Sequence, residues 1–362
     1  MTVTLLAVSD AVEQLDQFDA VIDARSPAEF AEDHLPGALN WPVLDDDERR
    51  IVGTLYVQQG PLAARKVGGP LVARRIAGHI ERELADKPRE WRPLVYCWRG
   101  GQRSGTLAWF LWQVGFRSTQ LAGGYRAFRG LVRKDLETLP ARHHYTVLAG
   151  RTGSGKTRLL QALAALPAEG AQVLDLEALA QHRGSILGGL PGQPQPSQKR
   201  FDTLLWQALR GFDAQREVFV ESESQRIGRL RVPDALLLRM REHSRCLMVE
   251  LPDDERVRLL LQDYAFFADD PAHFCRLLEG LIELRGRVLV QRWQAMAVAG
   301  QWAALFGELM RDHYDPLYTR SLTRNFPHLA QAQSLPLQGV DATSMARGAQ
   351  MLLGMAAAGA AA

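Results

Sequence analysis

Two short segments of the sequence carry the residues that are equipped for chemistry. In the first, Cys97 is followed by Gly100, Gly101 and two arginines, and a helix can begin near Ser104. Glycines allow successive backbone N–H groups to turn toward an anion, and these donors together with a helix N-terminus favour a thiolate over a thiol. Cys97 is therefore a candidate nucleophile on a loop suited to a persulfide, a selenide or an oxyanion bonded to its sulfur. The alternative is an inert cysteine of the core.

The other residues of this loop are candidates for shaping the anion site or contacting the substrate. Trp98 could stack on an unpaired base, or it could act as a hydrophobic lid. Cys246 lies in an apolar strand pattern and Cys275 in a helical pattern, so both are interpreted as structural. The supporting residues of the loop are Trp98, Arg99, Gly100, Gly101, Gln102 and Arg103.

The second segment is a complete phosphate-binding loop. It matches the pattern GxxxxGK[ST], follows an apolar strand predicted at 145–149 and precedes a helical pattern, which is the context that the motif requires. Its glycines expose backbone N–H groups, Lys156 adds a positive charge, and Thr157 is a candidate ligand of Mg²⁺. The loop predicts phosphate or diphosphate binding more firmly than ATP hydrolysis. Its residues are Gly150, Arg151, Thr152, Gly153, Ser154, Gly155, Lys156 and Thr157.

Two carboxylates follow the next apolar strand pattern. A usual NTPase ends such a strand in Asp to hold its metal, whereas residues 218–221 end here in Glu221, with Glu223 close behind. Either carboxylate is a candidate for a metal site or for acting on a different diphosphate ligand. The cysteine and histidine spacings do not predict a dedicated metal centre, so no metal is assigned with certainty.

Length and composition set the class of protein. A chain of 362 residues with 46% hydrophobic and 23% charged residues is long enough for two soluble domains. The formal net charge of +2 gives no strong overall field for nucleic acid, although the arginines between 226 and 245 could follow an RNA backbone or line a solvated surface. The lack of a signal-peptide pattern, a long apolar run and paired cysteines predicts a cytoplasmic protein without membrane contact.

Strand and helix patterns alternate along the chain, which predicts two α/β domains. The helical insert of the first domain is expected to break near Gly60-Pro61 and again near Gly68-Gly69-Pro70. The Gly- and Pro-rich stretch 184–198 predicts a loop. The predicted division is a domain at 1–138 with a helical insert around 45–87, a linker at 139–144, a P-loop domain with a helical extension at 145–345, and a helix end with a frayed tail at 346–362.

The N-terminal part of the chain resembles the rhodanese family over about residues 8–135. The resemblance is carried by 22–30, 34–38, the cysteine loop 97–104 and the strand and turn at 121–125. It implies a parallel-sheet domain in which Cys97 carries sulfur or selenium as a persulfide-type adduct. It also implies that Asp23 and Arg25 organise the sheet edge near that loop.

A rhodanese-like domain fused to a P-loop domain resembles the tRNA 2-selenouridine synthase family over nearly the whole chain. The strings at 174–185, 195–201 and 218–228 add to this resemblance. It implies replacement of sulfur by selenium at the wobble 2-thiouridine of tRNA. Geranyl diphosphate would first alkylate the sulfur, and selenium from selenophosphate, handed over by its synthase, would then displace geranylthiol. The P-loop is expected to bind the geranyl diphosphate headgroup, with selenophosphate or ATP as alternatives.

Two functions of other classes stay open from the residues alone. One is a rhodanese-type sulfurtransferase coupled to an ATP-using P-loop domain that activates an acceptor. The other is a non-catalytic regulator that binds nucleotide and senses redox state through Cys97.

Overall fold

The computed structural model describes residues 3–166 and 171–360. The chain divides into two compact units. The first unit comprises Met1–Asp135 and Pro196–Gln207, and the second comprises Leu136–Gln195 and Ala208–Ala362. Each unit is built on its own five-stranded parallel sheet with helices, which confirms the predicted fold class.

The sheet of the first unit has the strand order β1-β5-β4-β2-β3. Its strands β2 and β4 are buried, as expected for apolar runs that are covered on both faces. The elements up to the first junction are β1 (Thr4–Leu6), α1 (Val8–Glu13), β2 (Ala20–Asp23), α2 (Pro27–Glu32), β3 (Ala38–Asn40), α3 (Asp46–Gln59), α4 (Pro61–Glu83), β4 (Pro93–Tyr96), α5 (Gln102–Val114), β5 (Thr119–Leu121) and α6 (Gly124–Thr138).

The predicted helical insert forms α3 and α4, but only one of its two predicted breaks exists. Gly60 separates the helices with φ +86°, a value that favours glycine. The second predicted break is wrong, because α4 continues through Pro70. Close packing offsets the lost hydrogen bond, since a Cβ on Gly68 would already lie 3.1 Å from a methyl of Val52 on α3.

The sheet of the second unit has the order β12-β11-β6-β8-β7. The strands of this sheet alternate with helices, and a helical region follows β11. The elements after the first junction, of which α9 belongs for the most part to the first unit, are β6 (His144–Ala149), α7 (Lys156–Ala164), β7 (Gln172–Leu174), α8 (Leu176–Ala180), α9 (Gln198–Gly211), β8 (Glu217–Glu221), β9 (Arg226–Ile227), β10 (Leu230–Arg231), α10 (Asp234–Glu242), β11 (Arg245–Glu250), α11 (Asp253–Asp263), α12 (Pro271–Glu279), α13 (Ile282–Arg285), α14 (Arg287–Val298), α15 (Trp302–Leu309), α16 (Asp315–Asn325), β12 (Gln333–Pro336) and α17 (Ala342–Ala360). The short strands β9 and β10 form a separate two-stranded antiparallel sheet.

Two clusters of buried side chains hold the second unit together. One lies between the sheet and the helices α7 and α17, and it includes Leu148, Leu160 and Leu352. The other fills the helical region and contains Phe274 and Trp293, both fully buried. A π-helical turn, Met310–Tyr314, joins α15 to α16, and such turns often occur at functional sites.

The structure departs from the predicted division at three places. The predicted linker 139–144 is packed, since Leu139, Pro140 and His143 are buried and Nε2 of His143 lies 2.9 Å from the carbonyl oxygen of Leu209. The segment 196–207, assigned from sequence to the P-loop domain, belongs to the first unit. The predicted frayed tail is helical as far as Ala360, and the last two residues lie outside the described part of the chain.

The segment 196–207 joins the first unit through buried polar contacts. Thr203 donates from Oγ1 to the carboxylate of Asp33 (2.9 Å), and Trp206 donates from its indole to Asp135 (2.8 Å). Because an unpaired buried carboxylate is costly, these bonds stabilise the position of the segment. The predicted loop 184–198 carries neither helix nor strand until α9 begins at Gln198. No helix in the described residues is long and apolar enough to cross a membrane.

Candidate functional site

Cys97 follows β4 directly, at the carboxyl edge of the first sheet. Its side chain is 3% exposed, and its Sγ accepts a hydrogen bond from the hydroxyl of Ser104 over 3.1 Å. Gln120 on β5 donates to that hydroxyl (3.0 Å) and to the carbonyl of Gly100 (2.7 Å). Helix α5 begins just beyond with Gly101 as N-cap, which has no side chain to cap the helix, so its first amides remain available to an anion.

Glycines are required where the cysteine loop meets the turn before α6. Gly100 and Gly124 have φ +63° and +57°. A Cβ on Gly124 would lie 2.1 Å from the carbonyl oxygen of Cys97, and one on Gly100 would lie 2.5 Å from that of Leu121. The same close approach allows the N–H of Tyr125 to donate to the carbonyl of Cys97 (2.8 Å). The glycines thus fix the path of the loop around the sulfur.

Asp23 and Arg25 form a buried ion pair beside this loop. Asp23 ends β2 opposite Tyr96 in the parallel register, so it lies next to the strand end that carries Cys97. Arg25 donates to both carboxylate oxygens of Asp23, with a shortest distance of 2.6 Å, and both side chains are at most 1% exposed. The guanidinium also lies 3.9 Å from the ring centroid of Tyr125. The pair therefore supports the turn that contacts the cysteine loop.

The polar side chains of the cysteine loop do not converge on the sulfur. Arg103 is paired with Glu29 on α2 at 2.6 Å, whereas Arg99 is exposed. Trp98 lies tilted against Tyr125, with ring centroids 5.5 Å apart. In the described residues the sulfur is therefore surrounded by backbone, Ser104 and apolar side chains, and its charge would be stabilised mainly by helix α5 and that hydroxyl.

The phosphate loop connects β6 to α7, as the motif requires. Gly153 and Gly155 have φ +74° and +84°, and Gly155 is the N-cap of α7 without a capping side chain. The N-terminal amides of α7 are therefore directed at the space above the loop. Nζ of Lys156 donates to the carbonyl of Gly150 over 2.6 Å, so the loop itself holds this ammonium in the structure.

Parallel pairing brings the predicted carboxylates to the same edge. Leu148 of β6 is in register with Glu221 of β8, so Glu221 lies beside the start of the phosphate loop. Glu177, which the motifs did not single out, joins them: Thr157 donates to its Oε2 (2.9 Å), and its own N–H donates to Glu221 (3.0 Å). The second oxygen of Glu221 is buried without a hydrogen-bond partner.

These carboxyl groups hold protons more tightly than exposed ones do. Burial, and then the charge of Glu177, raises the pKa of Glu223 to about 8. Burial, followed by the charges of Asp175 and Glu177, raises the pKa of Glu221 well above its ordinary value. Burial also raises the pKa of Glu177, although the Thr157 hydroxyl opposes this. At neutral pH the cluster therefore carries less negative charge than its composition indicates.

A cavity of about 490 Å³ opens over the phosphate loop. One part is polar and is lined by the loop, Glu177, Glu221 and Glu223. The other part is largely apolar and is formed by residues of α11, the turn after it, α16 and the C-cap of α16, namely Leu259, Leu260, Tyr264, Leu317, Leu322 and Phe326. The cavity can therefore hold a ligand that joins a phosphate group to an apolar chain.

Comparison with known proteins decides the family. A family model described as the tRNA 2-selenouridine synthase AAA domain matches residues 143–279, and one for the rhodanese-like domain matches residues 7–131. A tRNA 2-selenouridine synthase of Aeromonas salmonicida is 34% identical over 83% of this chain and 87% of its own length. One of Cupriavidus necator is 35% identical over 83% of this chain and 87% of its own length. The chain belongs to the tRNA 2-selenouridine synthase family.

The match to other family members is shorter. A tRNA 2-selenouridine synthase of Nitrosomonas europaea is 37% identical over 67% of this chain, and the chain spans 63% of that relative's length. The resemblance stated from the sequence is nevertheless confirmed, because both domain models match in the predicted order.

Arg256 supports the phosphate loop of this family member and was missed by sequence reasoning. It is 1% exposed and donates to the carbonyl of Thr152 over 2.7 and 3.0 Å. Arg256 also forms ion pairs with Asp253 and Asp315, and Arg151 forms ion pairs with the same two carboxylates. No local motif signals this role, since Arg256 lies far from the loop in sequence.

Among the described residues, no group of three or more His, Cys, Asp or Glu is arranged as a metal site.

Proposed function

We propose that this protein is an enzyme that replaces sulfur with selenium in 2-thiouridine of tRNA. Membership of the tRNA 2-selenouridine synthase family supports this substrate and this chemistry. The chain also combines a cysteine loop of the rhodanese type with a phosphate cradle. The wobble position is the proposed site on the tRNA, and selenophosphate, delivered by its synthase, is the proposed selenium donor.

The proposed first step is S-geranylation with geranyl diphosphate bound at the phosphate loop. The cavity carries this proposal, since a phosphate cradle and an apolar wall line the same space. In the step, the C1–O bond of geranyl diphosphate breaks and its electron pair leaves with the diphosphate. A lone pair of the thiocarbonyl sulfur forms the new C1–S bond, and the N3 proton passes to water. Oriented amides and Lys156 stabilise the departing charge.

Mg²⁺ is proposed to accompany the diphosphate. The oxygens at the loop suit this hard cation, because the hydroxyl of Thr157, Glu177 and the unpartnered oxygen of Glu221 lie together. When bound, the ion supplies positive charge for the diphosphate. The chain contributes the hydroxyl and the carboxylates that would hold it.

The proposed second step is selenation, and it depends on Cys97. Alkylation converts the sulfur into a group that leaves as neutral geranylthiol once selenium has added to C2. Direct displacement by selenophosphate is redox-neutral, and water then releases phosphate. A covalent Cys97–selenium adduct would need a two-electron oxidant to form from the selenide-level selenium of selenophosphate and a reducing thiol to release it, so the proposed step is direct displacement with Cys97 as a positioned thiolate. Selenation without any added oxidant or thiol is therefore the result expected of a positioned thiolate.

Nucleoside mass spectrometry of 2-thiouridine-containing tRNA tests the proposed function. Purified protein is incubated with geranyl diphosphate and selenophosphate singly and together, and Cys97→Ala is run beside wild type. The expected products are geranylated nucleoside with the first donor and 2-selenouridine with both, with only selenation lost in Cys97→Ala. Unmodified tRNA throughout, together with ATP turnover and thiosulfate:cyanide activity, would instead establish a sulfurtransferase with an ATP-using partner domain.

A further inference from the structure

Helix α16 presents one aromatic ring to the phosphate loop. The ring centroid of Tyr318 lies 5.0 Å from Nζ of Lys156. Its hydroxyl shares a hydrogen bond with Ser222 (2.6 Å) and accepts one from the N–H of Gly150 (3.4 Å). The phenol is thus fixed at its far end, and its ring stays turned toward a cation beside the loop.

The same face of α16 continues into the apolar part of the cavity. Leu322 follows Tyr318 by four residues, so it lies one turn, about 6 Å, further along the same face of α16, and Phe326 is the residue that caps the end of this helix. Leu322 and Phe326 are each 5% exposed, and both line the cavity together with Tyr318. Tyr318 therefore stands where the polar part of the cavity changes to the apolar part.

We propose that Tyr318 is a catalytic residue of the geranyl transfer, with its ring face stabilising the positive charge that develops on the allylic carbon as the diphosphate leaves. This inference rests on the proposed binding of geranyl diphosphate at the loop. The ring gives no electrons to a new bond: the C1–O pair leaves with the diphosphate, the sulfur supplies the C1–S pair, and the N3 proton goes to water. The ring lowers the energy of the separated charges by cation–π attraction.

Other tyrosines of the cavity are less suited to this role. Tyr264 is stacked on Phe267 with centroids 5.8 Å apart, so one face of its ring is covered by another side chain. The ring centroid of Tyr314 lies 4.7 Å from that of His313. Tyr318 is the tyrosine whose ring faces Lys156. Since Lys156 marks the position of the diphosphate, the carbon bonded to that diphosphate develops its positive charge near this ring as the C1–O bond breaks.

The test compares Tyr318→Leu, Tyr318→Phe and Ser222→Ala in two assays. The first measures kcat and KM for geranylation of 2-thiouridine-containing tRNA. The second omits tRNA and measures solvolysis of geranyl diphosphate to its alcohols, which reports C1–O cleavage without the sulfur. Tyr318→Leu is expected to lower both rates by about tenfold, with Tyr318→Phe and Ser222→Ala within about threefold of wild type. Binding of inorganic diphosphate should remain unchanged in all variants.

The outcomes separate this inference from the proposed function. Wild-type rates in Tyr318→Leu, or equal losses in Tyr318→Leu and Tyr318→Phe, would overturn the role of the ring. Ring-dependent solvolysis without transfer to tRNA would support Tyr318 as catalytic while refuting the proposed function. A wild-type protein that neither geranylates tRNA nor cleaves geranyl diphosphate would overturn both. Should Tyr318→Leu lose diphosphate binding through misfolding, a slow Tyr318→Phe would still refute the proposal.

Discussion

The hydroxyl of Thr157 donates a hydrogen bond to Oε2 of Glu177 over 2.9 Å. Thr157 lies in the first turn of α7 and Glu177 in the first turn of α8, so each side chain is positioned by the start of its own helix. A diphosphate oxygen that accepts from this hydroxyl must displace the carboxylate, whereas a cation can bind a lone pair of the hydroxyl oxygen and leave the hydrogen bond in place. Glu177 therefore links occupancy of the phosphate loop to the carboxylate cluster.

Glu177→Gln is expected to bind inorganic diphosphate about fivefold more tightly than wild type at pH 8 without divalent cation. The substitution removes one negative charge near the anion, and such a charge at about 4 Å is worth about 1 kcal/mol even in water. With Mg²⁺ the order should reverse, because the carboxylate then faces a cation. Isothermal calorimetry measures both conditions. An equal gain in Glu279→Gln, an exposed acid outside the cavity, would show an effect of net charge alone.

The sequence predicts the two loops well because each is a local motif between a strand and a helix. Cys97 and Lys156 follow β4 and start α7, as their neighbours in sequence require. Glu177, Arg256 and Tyr318 reach the phosphate loop only through tertiary structure, and no spacing between them and the loop is regular. Glu221 also reaches the loop through tertiary structure, because the register of β6 with β8 places it there.

The differences between the predicted and observed boundaries have the same origin. Pro and Gly at 68–70 favour a break, but packing of α3 on α4 keeps the helix intact. Residues 196–207 follow the phosphate loop in sequence, yet polar contacts of Thr203 and Trp206 place them in the first unit. Local helix propensity predicts such boundaries poorly where the free energy gained by burial exceeds the free energy lost through an unfavourable propensity.

Gly124→Ala is expected to lower the free energy of unfolding by more than about 2 kcal/mol. Its φ of +57° disfavours any side chain, and a Cβ would lie 2.1 Å from the carbonyl oxygen of Cys97. Urea unfolding followed by tryptophan fluorescence measures the change. Gly130→Ala on the same helix has nothing within 4 Å of its Cβ, so it should be neutral or stabilise by up to about 1 kcal/mol. Similar values for both variants would contradict the close approach.

Glu223→Gln is expected to stabilise the protein increasingly as pH rises. Burial, and then the charge of Glu177, raises the pKa of Glu223 from 4.5 to about 8. Between these values the folded state holds a proton that the unfolded state has released, so wild-type stability falls as pH rises through this window. The glutamine mimics the protonated carboxyl and avoids the loss. Thermal unfolding should show a difference near pH 8.5 of about 1 kcal/mol or more, about 2–4 °C, that vanishes near pH 4.5.

Parallel pH profiles for wild type and Glu223→Gln would contradict this account. Glu279→Gln serves as the control, since an exposed carboxylate should leave the profile unchanged.

Ser104→Ala is expected to slow alkylation of Cys97 by iodoacetamide about tenfold at neutral pH. The Ser104 hydroxyl donates to the sulfur over 3.1 Å, and a hydrogen bond to a charged acceptor is worth about 1.5–3 kcal/mol. Mass spectrometry of the peptide containing Cys97 follows the reaction. Burial raises the pKa of Cys246 to about 11, so it should react slowly, and Cys275→Ala removes the partly exposed thiol. Unchanged alkylation in Ser104→Ala would refute a stabilised thiolate.

Lys156→Ala should separate the two proposed steps. Its ammonium is the main charge of the phosphate loop, so geranylation should fall by at least about 100-fold. Selenation of tRNA that has already been geranylated should proceed at the wild-type rate, because Cys97 and its loop are unchanged. Cys97→Ala should give the reverse, with normal geranylation and no selenation. Normal geranylation but lost selenation in Lys156→Ala would mean that the loop binds selenophosphate, and the assignment of geranyl diphosphate to this cavity would fail.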